Sequence, residues 1–355
     1  MPTAPCIKTP KTLGEKTIQL AKKLELYNRK LKIEQINDKL YIPLVREPTL
    51  NEQKTLKKTM SNMEVCIHDF ATKILQPKNF VSMLAEELPP HLVASLPHSA
   101  DFVGDIAVIE IPPELERYKQ KIGDAIITTN KHVHTVLAKA SAIKGVYRTR
   151  KFEVIAGETK TTTLHKEYGC VYHVDLSRAY FSPRLSSEHA RIASLVNEGE
   201  TVIDMFAGVG PFAIQIAKRH KTVRVYAVDV NPEAIELLKK NIVANRVVNK
   251  VTPILGDVRQ IVRERFAGAT DRVVMNLPEK AIEYVDVACE AIKPAGGVMH
   301  YYEFADAPEP TTAAKVRLGE AIEKANRRMV KVLTAKTVRA TAPYMWQVVV
   351  DVQIK

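Results

Sequence analysis

The sequence predicts an α/β protein whose C-terminal half is a doubly wound, Rossmann-like sheet. Three observations predict it. Between residues 193 and 355, short apolar runs alternate with helical segments, the pattern of parallel strands joined by crossover helices. Asp204, Asp229 and Asp257 stand at the ends of three successive runs. The chain ends in two strand-like runs, KVLTAKTVRA and MWQVVVDVQI, with no helix between them. These must pair as a hairpin, which makes one edge antiparallel.

The elements follow in order. Residues 1–80 read as a small basic domain. Its tip, Met1 to Lys11, carries Pro2, Pro5 and Pro10 and reads as disordered. A helix is predicted from Leu13 to Leu26, with Ile18, Leu20, Leu24 and Leu26 near one side. KLYIPLVR reads as a strand whose proline puts it at an edge or a strand end.

Residues 81–192 read as an α+β domain with an antiparallel sheet. IAVIEI (106–111) has the composition of a buried strand, and ELERYKQKIGDAIITTN that of a helix. KHVHTVLAKAS sits at a helix–strand boundary. Three short strands follow between Lys144 and Val174, with Gly157 and Gly169 as turns. Residues 193–355 then supply strands near 201–208, 223–230, 250–257, 271–278 and 296–305. Helices are expected at Pro211 to Arg219, Pro232 to Asn245, Lys280 to Ile292 and Ala314 to Arg327.

Composition bounds the function. The 355 residues are 46% hydrophobic and 26% charged, which excludes a collagen, a coiled-coil rod and wholesale disorder. No apolar run approaches the roughly 20 residues that span a bilayer, so no membrane partner is expected. MPTAPCIKTPKTLGEKT lacks the apolar core of a signal peptide. Cys6, Cys66, Cys170 and Cys289 form no CxxC pair, which fits a reducing cytoplasm and predicts neither zinc nor disulfides. The net charge is +12, and residues 1–80 hold 15 Lys/Arg against 8 Asp/Glu. A nucleic acid is the natural partner of such a surplus; a well-solvated basic surface is the alternative.

DMFAGVGPF (204–212) follows a strand and precedes a helix. Gly208 and Gly210 let backbone approach a ligand closely. The dinucleotide fingerprint wants a third glycine where Ala213 stands. An acid at Asp229 suits a ribose diol, and one at Asp257 suits an adenine amino group. The competing reading is that these acids cap helices, with Asp229 and Asn231 placed before Pro232. Together these features resemble the class I S-adenosylmethionine-dependent methyltransferases over residues 193–355. The resemblance implies a mixed seven-stranded sheet and S-adenosyl-L-methionine as cofactor. Asp204, Phe206, Gly208 and Gly210 would contact it from the first loop, Asp229 and Asp257 from the next two. Asn276 and Pro278 would contact it from the fourth strand end, NLP, which departs from the motif used to methylate exocyclic amines.

YRTRKFEVIAGE (147–158) and LSRAYFSPRLSSEHARI (176–192), with DMFAGVGPF and NLP, resemble the archaeal and eukaryotic tRNA (guanine-37, N1)-methyltransferase family and its wyosine-pathway relatives. The resemblance implies a tRNA substrate, no metal and a monomer. It makes Glu188 the general base, Arg148 the stabiliser of the guanine oxygen, Asn276 the amide on the guanine edge and Tyr180 a neighbour of base or cofactor. The chemistry agrees: guanine N1 is a poor nucleophile until a carboxylate takes its proton, and burial should raise that carboxylate toward neutrality. A guanidinium suits the charge that develops on the oxygen. The structural alternatives are a helix cap for Glu188, a phosphate contact for Arg148 and core packing for Tyr180. A bifunctional relative that also methylates a wyosine intermediate, and an aminocarboxypropyl transferase, are the alternative functions. His98, His132 and His134 read as solvated or hydrogen-bonded rather than metal-binding.

Overall fold

The computed structural model describes residues 2–59, 63–72, 79–85, 87–142, 145 and 147–355. The chain divides into two compact units, Met1–Lys78 and Asn79–Lys355.

The first unit is a four-stranded antiparallel sheet in the order Glu34–Ile36, Lys39–Pro43, Thr3–Pro10, Glu64–Asp69. The N-terminal tip is therefore not disordered: from Thr3 on it is an interior strand, and Cys6 and Ile7 are fully buried. Its prolines lack N–H groups but keep their carbonyls, and those of Pro2 and Pro5 accept from Phe70 and Leu44. Pro43 sits at a strand end, where no donor is needed. The helix Gly14–Lys23 buries Gly14, Thr17 and Ala21, so Ile18 and Leu20 lie at the flank of its core face. A second helix, Leu50–Thr59, had no clear periodicity in the sequence.

The second unit holds the seven-stranded sheet. Its order is Val251–Leu255, Arg224–Asp229, Thr201–Asp204, Arg272–Met275, Gly297–Asp306, Met345–Ile354, Met329–Ala342. The first five strands are parallel, and the last two form the expected hairpin, with Met345–Ile354 inserted antiparallel beside Gly297–Asp306. Helices Pro211–Arg219, Pro232–Ala244, Val285–Ala291 and Pro310–Lys324 cover the faces. The strand order reverses between Thr201–Asp204 and Arg272–Met275, and a crevice opens at such a switch point beyond the carboxyl ends.

A smaller sheet joins Asp101–Val103, Ile106–Ile109, Thr135–Lys139 and Phe152–Gly157. It is mixed rather than antiparallel. The helix Lys119–Thr129 crosses over between Ile106–Ile109 and Thr135–Lys139 and brings them in parallel. Lys144, where the run of short strands was expected to start, lies outside the described residues, and the first of those strands begins at Phe152. The hairpin Thr162–Glu167/Cys170–Asp175 turns at Tyr168 and Gly169, both at positive φ. Tyr172 and Val174 of this hairpin share a core with Ile192, Val202, Phe212 and Val349. That shared core fixes the helix Ser186–Leu195 against the large sheet.

Candidate active site

The switch-point crevice is a cavity of about 260 Å³. Its floor is the loop after Thr201–Asp204. Gly208, at φ +55°, borders the cavity. Gly210, at φ +92°, does not: a Cβ there would lie 2.3 Å from Leu238 Cδ1, so this glycine lets the loop close onto a neighbouring helix. Asp204 is wholly buried behind the loop and does not border the cavity either. Among the described residues neither of its oxygens has a hydrogen-bond partner at normal geometry, and burial pushes its carboxyl up to about 7.

Asp229 borders the cavity and organises it. One carboxylate oxygen accepts from Gly208 N–H at 2.7 Å and the other from Asn231 N–H at 2.9 Å. Burial raises its pKa against these bonds. Each oxygen keeps a lone pair for a ligand hydroxyl. The helix cap is Asn231, whose side chain accepts from Glu233 N–H at 3.0 Å. Asp257 does both jobs: it accepts from Arg259 N–H at 2.8 Å and faces the cavity. Phe206 stands edge-on to Tyr284, with 5.1 Å between ring centres, and the Arg259 guanidinium lies 4.1 Å from the Tyr284 ring. Two acids, two aromatic rings and a missing Cβ make a wall suited to an adenosine group.

The opposite requirement, a polar grip on a base edge, comes from three separated segments. Asn276 and Leu277 border the cavity at the end of the fourth parallel strand; Pro278 does not, and its carbonyl accepts from Phe304 N–H. Asn276 Oδ1 accepts from Gln347 Nε2 at 3.3 Å. Arg148, at φ +54°, pairs with Glu279 at 3.0 Å and lies 5.3 Å from the Tyr180 ring. Both Arg148 and Tyr180 border the cavity.

Glu188 is placed differently. It sits in the first turn of Ser186–Leu195 and is 2% exposed. It makes no capping bond, so the cap alternative fails. Oε2 accepts from Arg191 Nε at 2.9 Å and Tyr302 Oη at 3.0 Å; Oε1 pairs with Lys336 Nζ at 2.7 Å. It does not border the cavity. Burial alone would raise its pKa, but Arg191 and Lys336 outweigh it, and the carboxyl is held below its usual value. The expected rise toward neutrality is thus reversed by two cations the sequence did not place beside it.

The structure adds residues the sequence reading missed. His189 borders the cavity, with Nδ1 2.7 Å from the buried Glu167. Gln347 is a polar residue between the apolar Met345-Trp346 and Val348 to Val350, a signal that marks a buried hydrogen-bonding duty. Beside the first cavity a second, of about 250 Å³, is bordered by Lys139, Arg148, Arg150, Arg184 and Arg339. Among the described residues, no group of His, Cys, Asp and Glu is placed to hold a metal, and no helix is long and apolar enough to cross a membrane.

Comparison with known proteins agrees with this geometry. The TRM5/TYW2 methyltransferase domain matches residues 163–333, the TYW2 N-terminal domain 80–161 and the tRNA methyltransferase 5 N-terminal domain 6–49. The tRNA (guanine(37)-N(1))-methyltransferase Trm5b of Pyrococcus abyssi is 43% identical over 267 residues, covering 75% of this chain and 78% of its own. The solved complex of aTrm5 and tRNALeu superposes with a TM-score of 0.79 at 34% identity, over 99% of both chains. Methanocaldococcus jannaschii Trm5 in complex with adenosine superposes with a TM-score of 0.64 at 32% identity, over 98% of both. The chain belongs to the TRM5/TYW2 family of methyltransferases.

Proposed function

We propose that this chain transfers a methyl group from S-adenosylmethionine to N1 of guanosine 37 of tRNA, beside the anticodon. One observation carries the reading: Asn276, Arg148 and Tyr180, from distant segments, border the same cavity as Asp229 and Asp257. S-adenosylmethionine supplies an electrophilic methyl group. Asp229 accepts from the ribose hydroxyls while its bonds to Gly208 and Asn231 hold the loop. Asp257 accepts from the adenine amino group, and Phe206 and Tyr284 flank the rings. Asp204, Gly210 and Pro278 act from behind, shaping the loops that carry the contacts.

The guanine leaves its stack to enter the cavity. Asn276 binds its edge, and Arg148 holds the charge that forms on O6 once the N1 proton is gone. Glu188, whose Oε2 stays paired with Arg191, takes that proton. Tyr180 supports the Arg148 guanidinium from its ring face. In this reading residues 1–80 and 81–192 hold the tRNA and 193–355 the cofactor.

The test is direct. The protein is incubated with methyl-labelled S-adenosylmethionine and an unmodified tRNA transcript, and the nucleosides are identified by mass. The expected product is 1-methylguanosine at position 37, absent from a transcript with adenosine there. A label on any other atom or position overturns the reading.

A further inference from the structure

Glu188 presents a difficulty to its own role. It is 2% exposed, does not border the cavity, and both oxygens are engaged. The two engagements are unequal. Oε2 is tied to groups that are themselves held by buried partners. Arg191 is pinned by the buried Asp351 at 2.5 Å, Asp351 by His300 at 2.7 Å, His300 by Arg272 at 2.8 Å, and Arg272 by Glu200 at 2.7 Å. Tyr302, on the Gly297–Asp306 strand, is fully buried as well. Oε1 is held only by Lys336, among the contacts of the described residues. The Lys336 side chain is 42% exposed, on the outermost strand of the large sheet. An ammonium on a flexible four-carbon stem is the most easily moved partner in this set.

We propose that Lys336 is a displaceable cover on Glu188, drawn off by a phosphate of the incoming RNA. The inference rests on the reading of Glu188 as the proton acceptor. The same strand carries Arg339, which borders the second cavity, where Lys139, Arg148, Arg150, Arg184 and Arg339 outnumber Asp101 and Glu279. A polyanion held at Arg339 lies three residues along the same strand from Lys336. Once Lys336 pairs with phosphate, Glu188 keeps Arg191 and Tyr302 on Oε2 and has Oε1 free. Loss of a cation at 2.7 Å also raises its proton affinity. The N1–H bond of guanine then breaks, an O–H bond forms at Oε1, and the electron pair stays on the purine until it bonds the methyl carbon, the S–C bond breaking with its pair left on sulfur so that S-adenosylhomocysteine departs. The carboxylic acid returns its proton to solvent after product leaves. Free enzyme thus holds an inert, covered carboxylate, and RNA-bound enzyme an uncovered base.

The test uses the full chain and tRNA transcript. The pH dependence of kcat/KM for tRNA reports the free enzyme, and that of the single-turnover rate at saturating tRNA reports the complex. In the wild type the acid limb is expected at higher pH in the complex, by roughly one pH unit. In Lys336→Met the two limbs coincide at the higher value, and tRNA affinity falls several-fold. Lys336→Arg restores both the pairing and the separation. Wild-type separation of the limbs in Lys336→Met overturns the cover. Retention of both limbs in Glu188→Gln at a near-normal rate instead overturns Glu188 as the base, and absence of 1-methylguanosine from wild-type reactions overturns the reaction itself.

Discussion

Gln347 donates from Nε2 to the side-chain oxygen of Asn276 at 3.3 Å, and its own oxygen accepts from Arg339 Nε at 2.9 Å. The pair fixes which end of the Asn276 amide faces the cavity. With Oδ1 engaged, the NH₂ group is presented to the base, and a carbonyl such as guanine O6 is its natural acceptor. Gln347 is 1% exposed and borders the cavity beside Asn276.

Gln347→Met should therefore slow methyl transfer without touching cofactor affinity. It frees the Asn276 amide to flip and leaves Arg339 one acceptor short. Loss of one such bond costs about 1 kcal/mol, so a drop of roughly 5- to 10-fold in single-turnover rate is expected. Rapid-quench kinetics at saturating tRNA measure it; an unchanged rate would show that Asn276 needs no orienting partner.

Asp229→Asn should weaken cofactor binding and loosen the loop together. The amide places an NH₂ group against Gly208 N–H or Asn231 N–H, where a carboxylate oxygen now accepts. Bonds to a charged acceptor are worth about 1.5–3 kcal/mol each, so affinity for S-adenosylmethionine should fall at least tenfold. Calorimetry on the folded variant checks it, and equal affinity would remove Asp229 from the ribose.

Glu188→Gln should reduce the single-turnover rate by about 10²–10⁴-fold, the usual cost of losing a general base. Cofactor and tRNA affinities should stay near wild type. The melting temperature should also drop, because a neutral amide cannot balance Arg191 and Lys336. The rate per folded molecule separates the two effects: a normal rate with a lowered melting temperature would make Glu188 a structural residue.

Glu167 predicts an acid-sensitive fold. Burial pushes its carboxyl up, but His165 and His189 pull it further down, to about 2. A depressed carboxyl contributes stability above its ordinary pKa and loses it as pH falls through the folded value. The window therefore runs from about 4.5 down to about 2. Glu167→Gln should be less stable at pH 7, and its denaturation midpoint should vary less between pH 5 and 3. A parallel pH dependence in both proteins would contradict the assignment.

Removal of residues 1–78 takes away a complete folding unit and most of the basic surplus. Binding of tRNA should weaken at low salt while S-adenosylmethionine affinity holds. Rising salt should narrow the gap between the two proteins, because fewer counterions are released by the shorter one. Equal tRNA affinity at low salt would deny this unit a part in binding.

Much of the large sheet was legible because its strands and helices have opposite periodicities and are punctuated by Gly and Pro. Pro211 and Pro232 open two helices as expected. The acids at strand ends were legible as a cavity wall, and the structure sorts them: Asp229 and Asp257 face it, Asp204 does not. What the sequence hid is what depends on packing between distant segments. Gly210 looked like a ligand glycine, yet its constraint is Leu238, a residue of another helix. The charge state of Glu188 depends on Lys336, far along the chain. The Thr3–Pro10 strand was hidden by its prolines, since local propensity cannot see that their carbonyls find partners at Leu44 and Phe70.

That strand also constrains how the chain is made. Thr3–Pro10 precedes both of its sheet neighbours in the chain and is an interior member of its sheet. Its neighbours are Lys39–Pro43 on one side and Glu64–Asp69 on the other. Its first edge finds a partner once Lys39–Pro43 has been made, but the second stays open until residues up to 69 have been synthesised. At about 5–20 residues per second that interval lasts several seconds. Interruptions of translation between residues 10 and 69 would prolong the exposure of an unpaired strand. Slow codons in this stretch should lower the soluble yield more than the same codons placed after it.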